Sequence, residues 1–588
     1  MTASPLTPVP PRNGAPPQPS STSAWGLIKP YWVSEDWKAA WGLLVTIIVI
    51  NLTIVGFNVW INQWYAKFNN ALVAKDSPHF WQLLIQFTVA AFVFITLAVY
   101  RTYLRQMLGF RWRQWLTNRY LKTWLGDLAF YRIERDRLAD NPDQRISDDL
   151  QSLATNTLDL SLGLLSTVVT LISFITILWT IGGALSFHFA GSAWTVPGYM
   201  VWAAVIYAIV GSYVIHKVGH PLVSINYQQQ RVEADFRYGL IRVRENSEQI
   251  ALYDGVRTEE RNAQNIFTRI RDNWWRIMTY TRRLNFVTNF YAQAAIIFPY
   301  IVASPRYFAG AFTFGVVTQI ADAFGTVSGS LSWFINNYSS LVEWRATVNR
   351  LREFSRVVQS THLRESVSPA TEHGGINLHY VDASALSTHD LDLALPNGTP
   401  LATIGDIVIE PGARWLVRGP SGSGKSTLLR AFAGLWPFGQ GSIDVPVGAR
   451  TMFLPQQSYL PIGTLKAALA YPAAADTFTE SACREALVSC RLEDYIGRLD
   501  ESAHWTRVLS PGEQQRLAAA RVLLHKPDFV FLDEATSGLD PDNESNIYRL
   551  LHERLPQTAI VSVAHRESIA GFHDHTLFIE RTSERAAA

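Results

Sequence analysis

A glycine-rich segment that carries a lysine and four hydroxyl side chains is suited to phosphate binding. The segment GPSGSGKST, from Gly419 to Thr427, matches the pattern G-x-x-x-x-G-K-[S/T]. An apolar strand pattern, GARWLVR, precedes it, and a helical pattern, STLLRAFAGLW, follows it. Glycines let successive backbone N–H groups face phosphate oxygens, and the start of the helix adds its dipole. The expected phosphate-binding residues are Gly419, Ser421, Gly422, Gly424, Lys425, Ser426 and Thr427.

A reaction at a nucleoside triphosphate also needs a metal ligand and a base. Lys425 is expected to reach the β- and γ-phosphates, and the Ser426 hydroxyl is expected to bind Mg²⁺. Further along, DFVFLDEAT is an apolar strand pattern that ends in two carboxylates. Asp533 would bind Mg²⁺, directly or through water, and Glu534 would accept the proton of the attacking water. Two acids at a strand end could instead only cap the next turn, but the upstream P-loop favours the first interpretation.

The segment LSPGEQQRL, residues 509–517, has the pattern of a helix start. Ser510 would be the N-cap, Pro511 the first helical residue, and Glu513 the third residue of a capping box. A helix start is positively polarised and attracts anions. Because a negative side chain aimed at a bound anion would repel it, we expect Glu513 to fold back on the Ser510 N–H and not to touch that anion.

The N-terminal part of the chain is predicted to cross a membrane. Of 588 residues, 48% are hydrophobic and 17% charged, which is too apolar for a soluble enzyme and too polar for a purely membrane-embedded bundle. Six stretches are long enough to span about 30 Å of hydrocarbon as helices. They are Ala39–Trp60, Leu83–Tyr100, Leu158–Leu178, Val201–His216, Phe286–Val302 and Phe312–Phe334.

Charge in the connections predicts the orientation of these spans. Lys and Arg concentrate between the second and third spans and between the fourth and fifth, which places both connections and both termini in the cytoplasm. Both connections have helical periodicity and are expected to extend the membrane helices far into the cytosol. In the first connection, Asn141, Pro142 and Gln144 predict a capped short helix at the tip, placed to touch a cytosolic partner.

Two acidic residues fall within the predicted spans. A charge at bilayer depth costs at least ~2.5–3.5 kcal/mol, so such a residue is usually paired or part of a site. Asp159, near the start of the third span, is expected at the cytoplasmic interface. Asp322, in the sixth span, either lines a water-filled cavity or has a structural role.

The order of the motifs resembles that of the ATP-binding cassette (ABC) superfamily: the P-loop, then LSPGEQQR, FVFLDEATSGLD and VSVAHR. The resemblance implies that Ser510 and Gly512 form the signature segment of an ATP site and that Asp540 is the D-loop acid. It further implies that His565 contacts the γ-phosphate and that Gln456, in FLPQQSYLPIGTL, links Mg²⁺ to the membrane domain. The implied cofactors are ATP and Mg²⁺, with Glu534, His565 and Gln456 as catalytic residues and Ser426, Gln456 and Asp533 as metal ligands.

The membrane part resembles exporter-type half-transporters, which have one membrane domain and one ATPase domain per chain. The segments NPDQRISDD and RENSEQIALYDG resemble a branch that joins BacA/SbmA-related bacterial transporters with peroxisomal fatty-acyl-CoA transporters. A homodimer is implied, because in this family the signature segment completes the ATP site of the other subunit. The branch implies ATP-driven uptake of hydrophilic cargo, such as peptides or cobalamin, across a bacterial inner membrane. A fatty-acid or acyl-CoA cargo, or a proton-driven peptide permease with a regulatory ATPase domain, remain alternatives.

We therefore predict a multidomain membrane protein with four parts. Residues 1–24, rich in Pro, Ser and Thr, form a disordered tail. Residues 25–355 form a six-helix transmembrane domain with long cytosolic helical extensions, 356–375 a linker, and 376–588 an α/β P-loop ATPase (ABC) domain. There is no basic run that would indicate nucleic-acid binding.

Overall fold

The computed structural model describes residues 23–189, 192–366 and 375–580. The chain separates into two compact units between residues 362 and 363. All but the last two residues of the predicted disordered tail lie outside the described residues. The first part of the predicted linker is helical up to Ser366, and residues 367–374 also lie outside the described ranges.

The first unit is built from long helices, as apolar segments in lipid require because each backbone polar group must find its partner within the segment. A two-stranded antiparallel hairpin, β1 and β2, joins two of them. The elements are α1 (Ala24–Trp32), α2 (Trp37–Val73), α3 (Ser77–Leu125), α4 (Ala129–Arg135), α5 (Pro142–Gln144), α6 (Leu150–Gly182), β1 (Ala184–Phe189), β2 (Ser192–Pro197), α7 (Tyr199–Glu245), α8 (Ser247–Leu252), α9 (Val256–Phe308), α10 (Phe314–Leu331), α11 (Trp333–Asn336) and α12 (Tyr338–Ser366).

In the described residues, five helical segments are long and apolar enough to cross a membrane, and each contains one predicted span. They are Trp37–Val73, Ser77–Arg135, Pro142–Gly182, Tyr199–Glu245 and Val256–Phe308. The sixth predicted span coincides with α10, which has 18 residues. Because α10 packs against α2, α6, α7 and α9, protein covers much of its surface and its sequence needs less hydropathy. Helices of up to 53 residues confirm that the spans continue well beyond their apolar cores.

The short helix predicted at the first tip is not a separate element. The helix begins at Pro142, passes through one π turn, Arg145–Asp149, and continues directly into α6. Asn141 has φ 45° and ψ 64°, and its side chain caps no N–H group. An N-cap residue normally has an extended backbone, from which its side chain reaches the first turn. The predicted start at Pro142 is confirmed, whereas the predicted capping by Asn141 is wrong.

A buried ion pair holds this π turn. Asp149 is 4% exposed. Its carboxylate accepts hydrogen bonds from Arg350 of α12 at 2.6 and 2.9 Å and from Arg145 at 3.1 Å. The start of α6 is thereby joined to the last long helix of the unit.

The second unit is an α/β domain whose strands alternate with helices. Its elements are β3 (Asn377–Val381), β4 (Leu386–Ala394), β5 (Pro400–Ile409), β6 (Arg414–Arg418), α13 (Lys425–Phe432), β7 (Gly439–Pro446), β8 (Thr451–Leu454), β9 (Gly463–Thr464), α14 (Leu465–Ala470), α15 (Glu480–Ser489), β10 (Ser502–Ala503), α16 (Trp505–Val508), α17 (Pro511–His525), β11 (Phe529–Asp533), α18 (Pro541–Arg554), β12 (Ala559–Val563) and β13 (His575–Phe578).

A parallel sheet with strand order β13-β6-β12-β11-β8 forms the centre of this unit. Side chains along β11 alternate between two cores: Val530 and Leu532 pack into one, and Phe529 and Phe531 into the other. A second sheet, in the order β3-β7-β4-β5, packs its apolar face into the same core as Phe529. Because the strands of the first sheet are parallel, the loops that follow β6, β8, β11 and β12 all emerge at one edge.

Candidate active site

The loop between β6 and α13 has the conformation that a phosphate site requires. Gly419, Gly422 and Gly424 have φ values of 151°, 77° and 98°, which residues with a Cβ rarely adopt. A Cβ on Gly424 would also lie only 3.1 Å from the Leu401 Cδ2 atom, so an apolar side chain lies directly against the loop. Ser421 is exposed in the loop, and Thr427 is half-buried in the first turn of α13.

Lys425 is folded over this loop. Its ammonium group donates to the carbonyls of Gly419 and Pro420, at 2.8 and 2.9 Å. Burial lowers the pKa of Lys425, although the nearby carboxylates of Glu534 and Asp533 oppose that shift. The Ser423 hydroxyl in the same loop is buried and has no hydrogen-bond partner among the described residues. The loop therefore holds a cation and an unsatisfied hydroxyl where phosphate oxygens would bind.

Asp533, at the end of β11, lies beside the first residues of α13. The Ser426 hydroxyl donates to its Oδ1 atom at 2.9 Å. Burial raises the pKa of Asp533, and the bond from Ser426 only partly offsets this. A half-buried carboxylate beside a hydroxyl offers the oxygen donors that Mg²⁺ prefers, so these two residues fit a magnesium ion bound together with phosphates. Such an ion would neutralise charge on the phosphates.

Glu534 is the point at which three loops meet. Its φ of 49° is left-handed, a conformation that costs free energy in a residue with a side chain and is concentrated at functional sites. Its N–H donates to the Val563 carbonyl of β12 at 3.0 Å, which fixes the turn. One carboxylate oxygen lies 3.2 Å from the His565 Nε2 atom, and the other accepts a hydrogen bond from Gln456 at 3.2 Å. Asp533 and Glu534 thus face different partners.

This arrangement can support water attack on a phosphate. A carboxylate held by two neighbours is suited to accept a proton, provided that water reaches it. The P-loop, Asp533, Glu534, Gln456 and His565 are all brought to the carboxyl edge of the sheet. No hydrogen bond joins the start of α17 to the P-loop in the part of the chain described, so Ser510 and Gly512 stand apart from this group.

The start of α17 is a capping box. The Ser510 N–H and hydroxyl donate to the Glu513 Oε2 atom at 2.8 and 2.7 Å, and the Glu513 N–H points to the Ser510 hydroxyl at 3.4 Å. The other carboxylate oxygen accepts a hydrogen bond from the Tyr495 hydroxyl at 3.0 Å. Both oxygens of Glu513 are therefore used within the domain, as the prediction that Glu513 folds back requires.

Asp540 caps the next helix. Its carboxylate accepts from the Asn543 N–H at 2.9 Å and from the Asn543 side chain at 2.6 Å, and these bonds lower its pKa. In this conformation its carboxylate is bonded to the first turn of α18. A role at a nucleotide would require Asp540 to share or exchange these bonds.

Three polar residues that support the site were not predicted. Tyr495 bonds to Glu513, and both Gln515 and Arg566 bond to the loop after β11. Gln515 lies within the motif LSPGEQQR and Arg566 within VSVAHR, so the motifs indicated that both lie near the site. Nothing local to Tyr495 indicates its partner, because that contact depends on the tertiary fold.

The comparisons with known proteins agree with this geometry. The family model for ABC transporter transmembrane region 2 matches residues 27–308, and the one for ABC transporter matches residues 406–537. A bacterial Atm1-family ABC exporter, solved with ATP bound, has the same fold, with a TM-score of 0.69 and 18% identity. The alignment covers 92% of this chain and 94% of that one.

Curated relatives align over nearly the whole chain. An uncharacterised ABC transporter ATP-binding protein of Synechocystis is 36% identical over 92% of this chain and 80% of its own. The inner membrane ABC transporter ATP-binding protein YddA of Escherichia coli is 34% identical, over 93% and 95%. ABC transporter D family member 2, chloroplastic, of Arabidopsis thaliana is 32% identical, over 95% and 86%. The chain therefore belongs to the ABC transporter family, as a half-transporter in which an exporter-type membrane domain precedes an ATPase domain that couples ATP hydrolysis to transport.

Proposed function

We propose that two copies of this chain form a transporter that takes up hydrophilic cargo, such as peptides or cobalamin, across a bacterial inner membrane. Both termini would lie in the cytoplasm. In each ATP site, Lys425 and the P-loop bind the phosphates, and Glu534 accepts the proton of the attacking water. His565 and Gln456 hold that carboxylate in place. Ser426, Asp533 and Gln456 would hold Mg²⁺.

The observation that supports a hydrophilic cargo is a carboxylate exposed on a membrane helix. Asp322 of α10 is exposed, and its Oδ2 atom accepts a hydrogen bond from the fully buried Asn62 of α2 at 2.6 Å. A charge facing lipid at bilayer depth costs at least ~2.5–3.5 kcal/mol. A water-filled cavity removes most of that cost, and a wet cavity suits polar cargo better than an acyl chain.

The face of α10 that carries Asp322 also carries two glycines and a threonine. Gly325 and Gly329 follow at helical spacing on α10, and a Cβ on either would meet no atom within 4 Å. Thr326, one turn from Asp322, donates to its backbone carbonyl at 3.1 Å. We assign this face of α10 to the cargo pathway between the two copies.

The residues that each chain carries support a homodimer. The same chain carries Glu534 for hydrolysis and Ser510 for the signature segment, so two identical copies would form two complete sites. Since no hydrogen bond among the described residues joins Ser510 to its own P-loop, each signature segment is available to the partner copy. ATP bound between the two ATPase domains would close them, and hydrolysis would reset the cavity.

Purified protein in liposomes tests the cargo. We expect peptide or corrinoid candidates to stimulate ATP hydrolysis and to enter the vesicle in the direction of uptake. Asp322→Asn should reduce that stimulation and leave the basal ATPase rate intact. Stimulation by acyl-CoA alone would instead establish the fatty-acyl alternative.

The same vesicles separate ATP-driven transport from a proton-driven permease with a regulatory ATPase. Lys425→Ala should abolish uptake, because it removes the cation that binds the phosphates. Uptake that persists in Lys425→Ala but collapses when the proton gradient is dissipated would contradict our proposal and support the permease.

A further inference from the structure

One buried amide side chain connects α17, the signature helix, with two loops of the ATPase domain. Gln515 lies in the second turn of α17 and is 7% exposed. Its Oε1 atom accepts a hydrogen bond from the Gly538 N–H at 2.9 Å. Its Nε2 group donates to the Gln456 backbone carbonyl at 3.4 Å. The signature helix is thus bonded both to the loop that follows β11 and to the loop that follows β8.

The loop after β11 lies tightly against α17. A Cβ added to Gly538 would lie 3.1 Å from the Gln515 Oε1 atom. A Cβ added to Gly512 would lie 3.3 Å from the Gly538 carbonyl oxygen. Both distances are shorter than ordinary van der Waals contacts. The backbone of this loop therefore lies too close to α17 for a side chain at either glycine, and the bond from Gly538 to Gln515 joins the two elements.

A second residue holds the same loop from its other side. Arg566 donates to the Leu539 carbonyl at 2.8 Å and to the Ser537 carbonyl at 3.3 Å. Arg566 directly follows His565, which lies against Glu534. Gln515 of the signature helix thus binds the Gly538 N–H. Arg566, next to His565, binds two carbonyls of the same loop.

We propose that Gln515 is a positioning residue that makes the two loops move together. Gln456, whose backbone Gln515 binds, also contacts the carboxylate of Glu534. A displacement of Gln456 is therefore passed through the amide of Gln515 to Gly538 and Leu539. Where the proposed homodimer places this loop against the partner copy, Gln515 connects events at one ATP site with the geometry of the other.

An amide is required because the two bonds need opposite polarity. A single planar group must accept from the Gly538 N–H and donate to the Gln456 carbonyl. Methionine, of similar length, does neither. Ionised glutamate accepts from Gly538 but repels the carbonyl, whereas protonated glutamate can again do both. Gln515→Met thus removes both hydrogen bonds, whereas ionised Gln515→Glu removes only the bond to the Gln456 carbonyl.

The test is ATP hydrolysis by the full-length protein in liposomes. Gln515→Met should lower kcat roughly five- to tenfold, the order expected for one or two net hydrogen bonds, with the KM for ATP changed less than about twofold. Gln515→Glu should lower kcat similarly at neutral pH. The ratio of the Gln515→Glu kcat to the wild-type kcat should rise as the pH falls, because the new carboxyl group becomes protonated.

Gln514 provides a matched control. It carries the same side chain one residue earlier, but within the described part of the chain it donates to the Thr506 and Leu509 carbonyls, at 3.0 and 2.9 Å, and to neither loop. Gln514→Met should retain the wild-type kcat. The proposal fails if Gln515→Met keeps the wild-type kcat or if Gln514→Met lowers kcat by as much. It also fails if Gln515→Met raises the KM for ATP and leaves kcat unchanged. Should Gln515→Met not fold, Gln515→Glu decides: a wild-type kcat at neutral pH, or a ratio independent of pH, overturns the proposal.

Discussion

Replacing Glu513 by alanine removes the side chain that closes the capping box of the signature helix. In the wild type, the carboxylate accepts hydrogen bonds from the Ser510 N–H, from the Ser510 hydroxyl and from Tyr495. Alanine leaves the Tyr495 hydroxyl and the N–H of the N-cap residue Ser510 without this partner. Both groups are partly accessible to water, which limits the loss.

The magnitude follows from the number and type of these bonds. Loss of a helix cap costs about 0.5–2 kcal/mol, and a carboxylate that accepts several bonds belongs in the upper part of that range. In a domain of this size, 1 kcal/mol corresponds to a change in Tm of roughly 2–4 °C. We therefore expect Glu513→Ala to lower the Tm of the ATPase domain by roughly 2–8 °C. Glu513→Gln, which keeps one acceptor oxygen, should lose about half as much.

Differential scanning calorimetry of the full-length protein in detergent measures this shift. Glu553→Ala, an exposed glutamate on α18, is the control and should change the free energy of unfolding by less than about 0.5 kcal/mol. Because Glu513 faces its own helix, Glu513→Gln should leave the KM for ATP within about twofold. An unchanged Tm in Glu513→Ala, or a KM about tenfold lower in Glu513→Gln, would refute this reasoning, since the latter means that the carboxylate repels the phosphates.

The same contribution should depend on pH. Burial raises the pKa of Glu513, but hydrogen bonds from Ser510 and Tyr495 and the charge of Arg516 lower it by more, so the net shift is downward. A folded pKa below the unfolded value means that the carboxylate stabilises the domain fully above the ordinary glutamate pKa of about 4.3. The difference in Tm between wild type and Glu513→Ala should therefore shrink as the pH falls below that value.

Two further substitutions test other parts of the structure. Glu534→Gln should still bind ATP but hydrolyse it about 10²–10⁴-fold more slowly, since it loses the proton acceptor; normal turnover, measured as phosphate release, would exclude that role. Asp149→Asn should destabilise the membrane unit by about 3 kcal/mol, because Arg350 and Arg145 lose a buried charge partner, whereas the exposed neighbour Asp148→Asn should have little effect in the same thermal unfolding assay.

Motifs that lie within one strand, loop and helix could be predicted from the sequence. The P-loop glycines, Lys425 and Asp533 follow from local patterns, and the parallel sheet brings them together. The capping box at Ser510 is equally local, because both of its residues lie within one helical turn.

Other features depend on contacts that no local pattern contains. Tyr495 is far from Glu513 in sequence, and the link from Gln515 to Gly538 exists only when two loops meet. Asn141 failed as an N-cap because its backbone is left-handed, which an Asn-Pro pattern does not reveal. The sixth predicted span is less apolar than the other five because helices, not only lipid, surround α10.

The central claim is that each ATP site is completed by a second copy of the chain. Lys425→Ala and Ser510→Ala should each be inactive as homodimers, because each removes one half of both sites. Co-expressed in equal amounts, they should recover roughly a quarter of the wild-type ATPase rate, since half of the dimers are mixed and each mixed dimer has one intact site. Recovery to that level would support the claim. A mixture as inactive as either variant alone would contradict it.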